Sequence, residues 1–241
     1  MTPTRVKTGV EGLDQMLRGG FLPGSTILIR GASGTGKTSL AFQFLLEGLQ
    51  KGEPGLFITF EEFPHNLCRD VQSLGFDLST LEAEDNLHIV FTCPEILFES
   101  LQSPESRLYK TIIDHNFRRA AVDSVVHFNR CTDDPNTLRK MYTTIINALR
   151  REQITTLLLS EEYRISHYAD PGGLAYLSDG IILLRYVEVE SAIERAIVVL
   201  KLRGSDHARE IRHYKFQQGG MVVGEVFRRR GAILSGISRR D

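Results

Sequence analysis

Short apolar runs alternate along the chain with longer amphipathic stretches. The runs have the length and β-branched composition of buried strands, and strands are predicted at Thr26–Arg30, Leu56–Phe60, Leu87–Thr92, Ala120–Val126 and Thr155–Ser160. Apolar residues recur at helical spacing in Ser39–Gln50 and Leu138–Arg151, and a proline suits the first turn of a third predicted helix, Pro64–Leu74. Strands separated by helices indicate right-handed crossovers, and therefore a mostly parallel central sheet flanked by helices.

The pattern changes after residue 176. Ile181–Val189, Ala196–Leu202 and His213–Phe216 are β-rich runs with only turn-like or polar residues between them. Such spacing predicts C-terminal antiparallel β-hairpins that extend one side of the sheet. The fold class is therefore α/β. Residues 1–241 are interpreted as a single domain, in which 1–25 form an irregular lead-in segment and 228–241 a basic C-terminal tail.

Composition and charge narrow the class of protein. The 241 residues are 41% hydrophobic and 24% charged, and the formal net charge is -1. These values are typical of a globular chain, and a near-zero charge argues against a protein that mainly coats DNA or an anionic membrane. No apolar run is long enough to span a membrane, no signal peptide is apparent, and the three cysteines are widely spaced. We therefore expect a cytoplasmic protein with reduced thiols.

A phosphate-binding loop follows the first predicted strand. Residues 31–38, GASGTGKT, match the pattern G-x-x-x-x-G-K-[ST] in full, between a predicted strand and a predicted helix. The glycines let backbone N–H groups close around phosphate oxygens, and the helix N-terminus favours negative charge. Lys37 is placed to contact the β- and γ-phosphates, and the Thr38 hydroxyl to coordinate Mg²⁺. The predicted ATP-binding residues of this segment are Ser33, Gly34, Thr35, Gly36, Lys37, Thr38 and Ser39.

Carboxylates follow two further predicted strands. Asp123 ends an apolar run, as a Walker B residue does, and can orient the Mg²⁺ shell across the sheet from the loop. Glu61 and Glu62 come at the end of the second strand, where ATP hydrolysis needs a group that orients water. From chemistry alone, these two glutamates fit equally well as solvated residues ahead of the helix at Pro64.

Three segments together resemble KaiC-like ATPases of the RecA/RadA superfamily. They are the lead-in at residues 8–25, the strand FITFEE at 57–62, and KLRGSDH at 201–207. The similarity spans roughly residues 5 to 235, and the run SDGIILLRYVE at 178–188 looks closest to the second KaiC domain. The resemblance implies a RecA-like P-loop fold and an ATPase of a signalling or regulatory kind.

The resemblance also implies a homo-hexameric ring with ATP and Mg²⁺ between subunits. It makes Glu61, Glu62 and Lys37 catalytic, and it places the metal at Thr38, Glu61 and Asp123. The adjacent subunit is implied to supply cations to the same nucleotide, which would make hydrolysis depend on assembly. The residues expected to act on the neighbouring nucleotide are Arg195, Lys201, Leu202, Arg203 and His207.

One departure concerns autophosphorylation. The second KaiC domain is phosphorylated on an adjacent Ser-Thr pair, and the matching positions here hold Ala175 and Tyr176. Alanine has no hydroxyl, and the reach of a tyrosine differs from that of threonine. Tyr176 and the nearby Ser178 are therefore the candidate phosphosites, and Ser/Thr autokinase activity is less expected than ATP hydrolysis.

Two other readings stay open. A DNA-acting recombinase needs basic loops at the ring centre, but the region after Phe128 holds Arg130 together with Asp133 and Asp134. Nucleic acid is therefore not an expected partner, although the tail is basic. A nucleotide-binding scaffold that does not hydrolyse ATP is the third reading, and the retained Glu61 and Glu62 count against it. The sequence identifies no regulatory protein partner.

Overall fold

The central feature of the computed structural model is a nine-stranded sheet with the order β3-β2-β4-β5-β1-β6-β7-β8-β9. The structure describes residues 4–73, 86–161, 170, 172–189 and 191–227. The strands are β1 Thr26–Gly31, β2 Gly55–Thr59, β3 Leu87–Phe91, β4 Arg119–Asp123, β5 Thr155–Glu161, β6 Gly180–Val189, β7 Ala192–Leu202, β8 Arg212–Gln217 and β9 Gly220–Val226. The helices are α1 Leu13–Met16, α2 Lys37–Leu49, α3 Pro64–Ser73, α4 Pro94–Gln102, α5 Arg107–Asp114, α6 Pro135–Arg151 and α7 Leu174–Leu177.

The sheet combines a parallel and an antiparallel part, as the sequence predicts. The five strands β1 to β5 are parallel to their neighbours, and β6 pairs with β1 in the same direction. From β6 onward each pairing is antiparallel, which gives the C-terminal hairpins. The predicted fold class, an α/β RecA-like fold with C-terminal antiparallel strands, is therefore confirmed.

Several boundaries differ from the predicted ones. The predicted strand Ala120–Val126 ends at Asp123, because a 3₁₀ helix, Val125–Arg130, begins directly after it with the Ser124 hydroxyl accepting from the Val126 amide. Helices α4 and α5 and strand β9 were not predicted. The signals were present for both helices: a proline at the first turn of α4, and Ser106, whose hydroxyl caps α5 by accepting from the Tyr109 amide.

Two hydrophobic clusters cover the two faces of the sheet. One contains α2 together with lead-in residues such as Leu13 and Phe21, and the other contains α4 and α6. Within the first cluster the rings of Phe42 and Phe57 stack with their centroids 4.5 Å apart. The sheet is thus buried on both sides, which leaves the carboxyl ends of its parallel strands as the open edge.

The lead-in is packed more closely than the prediction of an irregular segment suggested. Val6 pairs with Phe21, and Glu11 pairs with Val222 of β9. A buried arginine, Arg119, donates from its guanidinium to the Lys7 carbonyl at 2.7 Å and so ties the lead-in to the sheet. The predicted basic tail at 228–241 lies outside the described residues. Among the helices that the structure describes, none is long and apolar enough to cross a membrane.

Candidate nucleotide site

The phosphate loop lies between β1 and α2, at the open edge of the sheet. Gly34 and Gly36 have φ values of 75° and 91°, in the left-handed region that favours glycine. A Cβ atom at Gly36 would lie 2.1 Å from the ring of Phe216, so this ring packs directly against the loop. Thr35 is buried beneath the loop, where its hydroxyl donates to the Ala32 carbonyl and its own carbonyl accepts from Tyr214.

Lys37, Thr38 and Asp123 meet at the floor of the loop. The Thr38 hydroxyl donates to Asp123 Oδ2 at 2.7 Å, which joins the first turn of α2 to the end of β4. The Lys37 ammonium donates to the Gly31 and Ala32 carbonyls, both at 3.0 Å, and is therefore held at the loop. The structure thus brings together the three predicted residues that the loop chemistry requires.

Burial shifts the pKa values of both charged groups at this floor. It raises the pKa of the Asp123 carboxyl, and the Thr38 hydrogen bond and the Lys37 charge oppose this shift. Burial lowers the pKa of Lys37, against the carboxylates of Glu161 and Asp123. Both shifts disfavour charge at a place without a ligand's counter-charge, which is the state expected of groups arranged for an ionic ligand.

The two predicted glutamates lie at the mouth of the cleft. Thr59 pairs in register with Asp123 at the carboxyl ends of β2 and β4, so Glu61 comes two residues beyond the level of the Walker-type aspartate. Glu61 Oε1 lies 3.1 Å from His127 Nε2, and the glutamate side chain is 64% exposed whereas that of His127 is buried. The backbone of Glu62 is fixed by Thr59, whose hydroxyl donates to the Glu62 carbonyl and accepts from its amide.

A cleft of about 660 Å³ contains most of the predicted residues. Of the loop residues, Ser33, Gly34, Gly36, Lys37, Thr38 and Ser39 line the cleft, whereas Thr35 does not. Glu61, Glu62 and Asp123 line the cleft as well. Loop, Walker-type aspartate and glutamate pair therefore share one cleft.

Further cleft residues were missed from the sequence: His127, Arg130, Glu161 and Phe216. Glu161 ends β5 and pairs in register with Gly31, so the rule that identified Asp123 also applied to it. His127 and Arg130 belong to the 3₁₀ helix, whose start the sequence reading assigned to a strand. Phe216 follows no motif and reaches the site only through the pairing of β8 with β7 and β9.

Arg195 lies in the cleft of its own chain, which the prediction did not anticipate. Its guanidinium carbon lies 5.6 Å from the ring centre of Tyr186 and 5.3 Å from that of Phe216. Its Nε atom is buried and makes no hydrogen bond. The predicted role of Arg195 at a neighbouring nucleotide stays a prediction, and the geometry of the single chain supports a role at the chain's own nucleotide.

The other cations of the predicted interfacial set lie away from this cleft. Lys201 donates to the carbonyls of Ala175 and Ser178 at 2.8 and 2.6 Å, and Arg203 donates to the Tyr176 carbonyl at 2.6 Å. Burial, followed by the charge of Arg203, lowers the pKa of Lys201. Both cations thus bind the C-terminal end of α7, where the helix dipole favours positive charge. Leu202 is buried, and His207 Nδ1 lies 2.9 Å from the Ala208 carbonyl oxygen.

The two candidate phosphosites differ in accessibility. Tyr176 is 75% exposed, whereas Ser178 is fully buried and its hydroxyl donates to the Leu174 carbonyl at 2.8 Å. Both lie in or directly after α7, beside the carbonyls that Lys201 binds. The predicted phosphosites and the predicted interfacial cations therefore form one cluster, separate from the chain's own cleft.

Comparison with known proteins identifies the family. The family model described as "ATPase: KaiC" matches residues 6–226. The circadian clock oscillator protein KaiC of Picosynechococcus sp. is 32% identical over 238 residues, 98% of this chain and 46% of that protein. The protein of the same name from Thermostichus vulcanus is 35% identical over 240 residues, 98% of this chain and 45% of the relative.

A further relative is the circadian clock protein KaiC3 of Synechocystis sp., which is 33% identical over 234 residues, 96% of this chain and 46% of the relative. The chain therefore spans less than half the length of the curated relatives that it matches. The match covers the phosphate loop, both acidic elements and the sheet described above. From this agreement of site, fold and sequence, the chain belongs to the KaiC ATPase family.

Proposed function

We propose that the chain binds ATP with Mg²⁺ in this cleft and hydrolyses it. The observation that carries the proposal is the hydrogen bond between Thr38 and Asp123 at the end of a complete phosphate loop. Hydroxyl and carboxylate oxygens are the ligands that Mg²⁺ prefers, so Thr38 and Asp123 fit the ion, with Glu61 on the same cleft. Bound Mg²⁺ neutralises the charge that develops on the β- and γ-phosphates.

Glu61 is the residue that orients the attacking water. Its carboxylate is solvent-accessible at the cleft, and His127 holds it from the buried side at 3.1 Å. Glu62 is fixed only through its backbone, so its side chain has a supporting place beside Glu61. Lys37 stabilises the phosphate charge from the opposite side of the loop.

ATP is hydrolysed at the interfaces of a homo-hexameric ring in this proposal. Lys201, Arg203 and His207 do not line their own chain's cleft, and a cation supplied by a neighbour would complete the charge stabilisation there. Their engagement with α7 connects the state of the neighbour's nucleotide to the segment that carries Tyr176. If the ring transfers phosphate to itself, the exposed Tyr176 is the acceptor and the buried Ser178 is not.

The biological role proposed is that of a KaiC-like signalling or regulatory ATPase in the cytoplasm. The printed names of the relatives are those of circadian clock proteins. Nucleotide-dependent ring shape would then be the signal that a regulatory protein partner binds.

The first experiment measures ATP turnover together with particle mass. Replacing both glutamates, Glu61→Gln with Glu62→Gln, should lower turnover by about 10²–10⁴-fold and leave nucleotide binding intact. Turnover that survives this double replacement removes the proposed catalytic role. Nucleotide binding without measurable turnover in the unmodified chain would instead support the scaffold reading.

The second experiment tests the contribution from the neighbour by mixing inactive subunits. Arg203→Ala subunits keep an intact cleft, and Lys37→Ala subunits keep an intact Arg203. In a ring with head-to-tail contacts, an equal mixture should therefore contain about a quarter of productive interfaces and regain activity.

Two controls belong to the mixing experiment. A mixture of Arg195→Ala with Lys37→Ala should stay inactive, because both changes lie in the same cleft. Arg209→Ala, an exposed arginine six residues beyond Arg203, should be active alone. An Arg203→Ala ring that hydrolyses ATP normally would show that Arg203 does not act on the neighbouring nucleotide.

A further inference from the structure

Two cysteine thiols and a carboxylate meet beside the nucleotide cleft. The Glu95 carboxylate accepts hydrogen bonds from the thiols of both Cys93 and Cys131. Both cysteines are free and half-buried, and Glu95 is exposed, so small reagents can reach the group. We refer to these three residues as the thiol cluster.

The fold brings the two cysteines together from different elements. Cys93 directly precedes α4 and its side chain makes no capping hydrogen bond, so the thiol is not required for the helix. Cys131 directly follows the 3₁₀ helix, and its Sγ atom lies 3.9 Å from the carbonyl oxygen of His127. Leu97 of α4 and Phe128 of the 3₁₀ helix belong to one buried cluster, against which Cys131 packs.

We propose that Cys93 and Cys131 are a redox modification site, at which a small disulfide such as oxidised glutathione forms an intramolecular Cys93–Cys131 disulfide. One thiolate attacks the small disulfide, forming a mixed disulfide and releasing one reduced glutathione. The second cysteine then attacks the protein sulfur of that mixed disulfide and releases the second reduced glutathione. Two protein thiols are oxidised, and one glutathione disulfide is reduced to two thiols.

The consequence for the cleft follows from the 3₁₀ helix. This helix carries His127 and Arg130, both of which line the cleft, and His127 pairs with Glu61. A disulfide at Cys131 fixes the end of the helix to α4 and so restrains the group that positions Glu61. The expected result is a loss of ATP turnover that reduction reverses. This part rests on the proposed ATPase function, whereas formation of the disulfide does not.

Glu95 sets the rate of the modification. Burial, together with the hydrogen bond and charge of Glu95, raises the pKa of the Cys131 thiol to about 12. Since the thiolate is the attacking species, oxidation of this pair should be slow. Replacing Glu95 by glutamine removes the charge and should accelerate disulfide formation, an effect that a purely structural Glu95 would not produce.

The test uses the full chain, oxidised glutathione and peptide mapping by mass spectrometry. Tryptic peptide 70–107 contains Cys93, peptide 131–139 contains Cys131, and peptide 52–69 contains the third cysteine, Cys68. The proposal expects peptides 70–107 and 131–139 to become linked, two hydrogens lighter than their sum. It also expects turnover to fall with the same time course and to recover with dithiothreitol.

Matched variants make the outcome decisive. Cys93→Ser and Cys131→Ser should abolish both the linked peptide and the loss of turnover, whereas Cys68→Ser should preserve both. Glutathione attached singly to Cys93 or Cys131, or linkage only through Cys68, overturns the site. Linkage of Cys93 to Cys131 without a change in turnover overturns the effect on the cleft. An unmodified chain that never turns over ATP defeats the proposed function but still leaves the peptide map to decide the modification site.

Discussion

The buried Arg119 is predicted to stabilise the fold by more than any surface ion pair. Its side chain is 1% exposed, and its guanidinium donates to Glu53 at 2.6 Å and to the carbonyls of Lys7 and Phe44 at 2.7 Å each. The guanidinium also lies 4.8 Å from the ring centre of Phe44. Replacing Arg119 by methionine keeps the apolar stem and removes every one of these interactions.

The size of the effect follows from what each partner loses. The Glu53 side chain is 35% exposed, so water can solvate it again, and its share of the ion pair is about 1 kcal/mol. Each of the two carbonyls loses a charged donor, at a cost of about 1–2 kcal/mol, toward the lower end because the Phe44 carbonyl also belongs to α2. The sum is about 3–5 kcal/mol, the range found when one partner of a buried ion pair is removed.

Urea denaturation followed by circular dichroism measures this free energy of unfolding. Arg118→Met is the matched control, since Arg118 is the exposed neighbour and its replacement should change stability by no more than about 0.5 kcal/mol. Glu53→Gln keeps the two carbonyl contacts and should cost about 1 kcal/mol. If Arg119→Met is no more destabilising than Arg118→Met, the assignment of Arg119 as the link between lead-in, α2 and sheet is wrong.

Three further predictions concern the cleft. Because burial raises the Asp123 pKa, its stability contribution is full below the ordinary Asp pKa of about 3.9 and is lost as pH rises through the raised value; Asp123→Asn should therefore raise the melting temperature at pH 7 without ligand while abolishing turnover. Gly36→Ala places a Cβ at a φ of 91° and 2.1 Å from the Phe216 ring, so nucleotide affinity should fall at least about tenfold in a binding titration, and recovery in Gly36→Ala with Phe216→Ala would separate ring contact from backbone strain. Label from γ-labelled ATP, if transferred, should vanish in Tyr176→Phe and persist in Ser178→Ala; the reverse pattern would exclude the exposed tyrosine.

The parts of the site that the sequence predicted share one property: they lie at fixed positions relative to a strand or a glycine-rich loop. Lys37 and Thr38 follow from the spacing of the loop, and Asp123 from its place at the end of a strand. Their meeting at 2.7 Å requires only that β1 and β4 belong to one parallel sheet. Glu161 obeys the same rule and could have been found, because β5 lies between β4 and β1 and ends at Gly31 in register.

The parts that were missed depend on packing between distant segments. His127 lies in a 3₁₀ helix whose apolar residues read as a continuing strand, and only the cap at Ser124 separates the two. Phe216 reaches Gly36 across 180 residues of sequence, through strands whose order no local pattern specifies. The packed lead-in was missed for the same reason, since it is fixed by contacts to Arg119 and β9 rather than by its own periodicity.

The geometry of β7 separates two groups of cations that the family resemblance had placed together. Arg195 and Lys201 lie on the same strand, six residues apart, and a strand rises about 3.3 Å per residue, so their α-carbons are about 20 Å apart. A triphosphate loop and its cleft are smaller than this separation, and Arg195 already lines the chain's own cleft. Lys201 and Arg203 therefore cannot serve that same nucleotide without unfolding the strand. A rigid strand with one end at its own site and the other directed to a second site is what coupling between adjacent nucleotides requires.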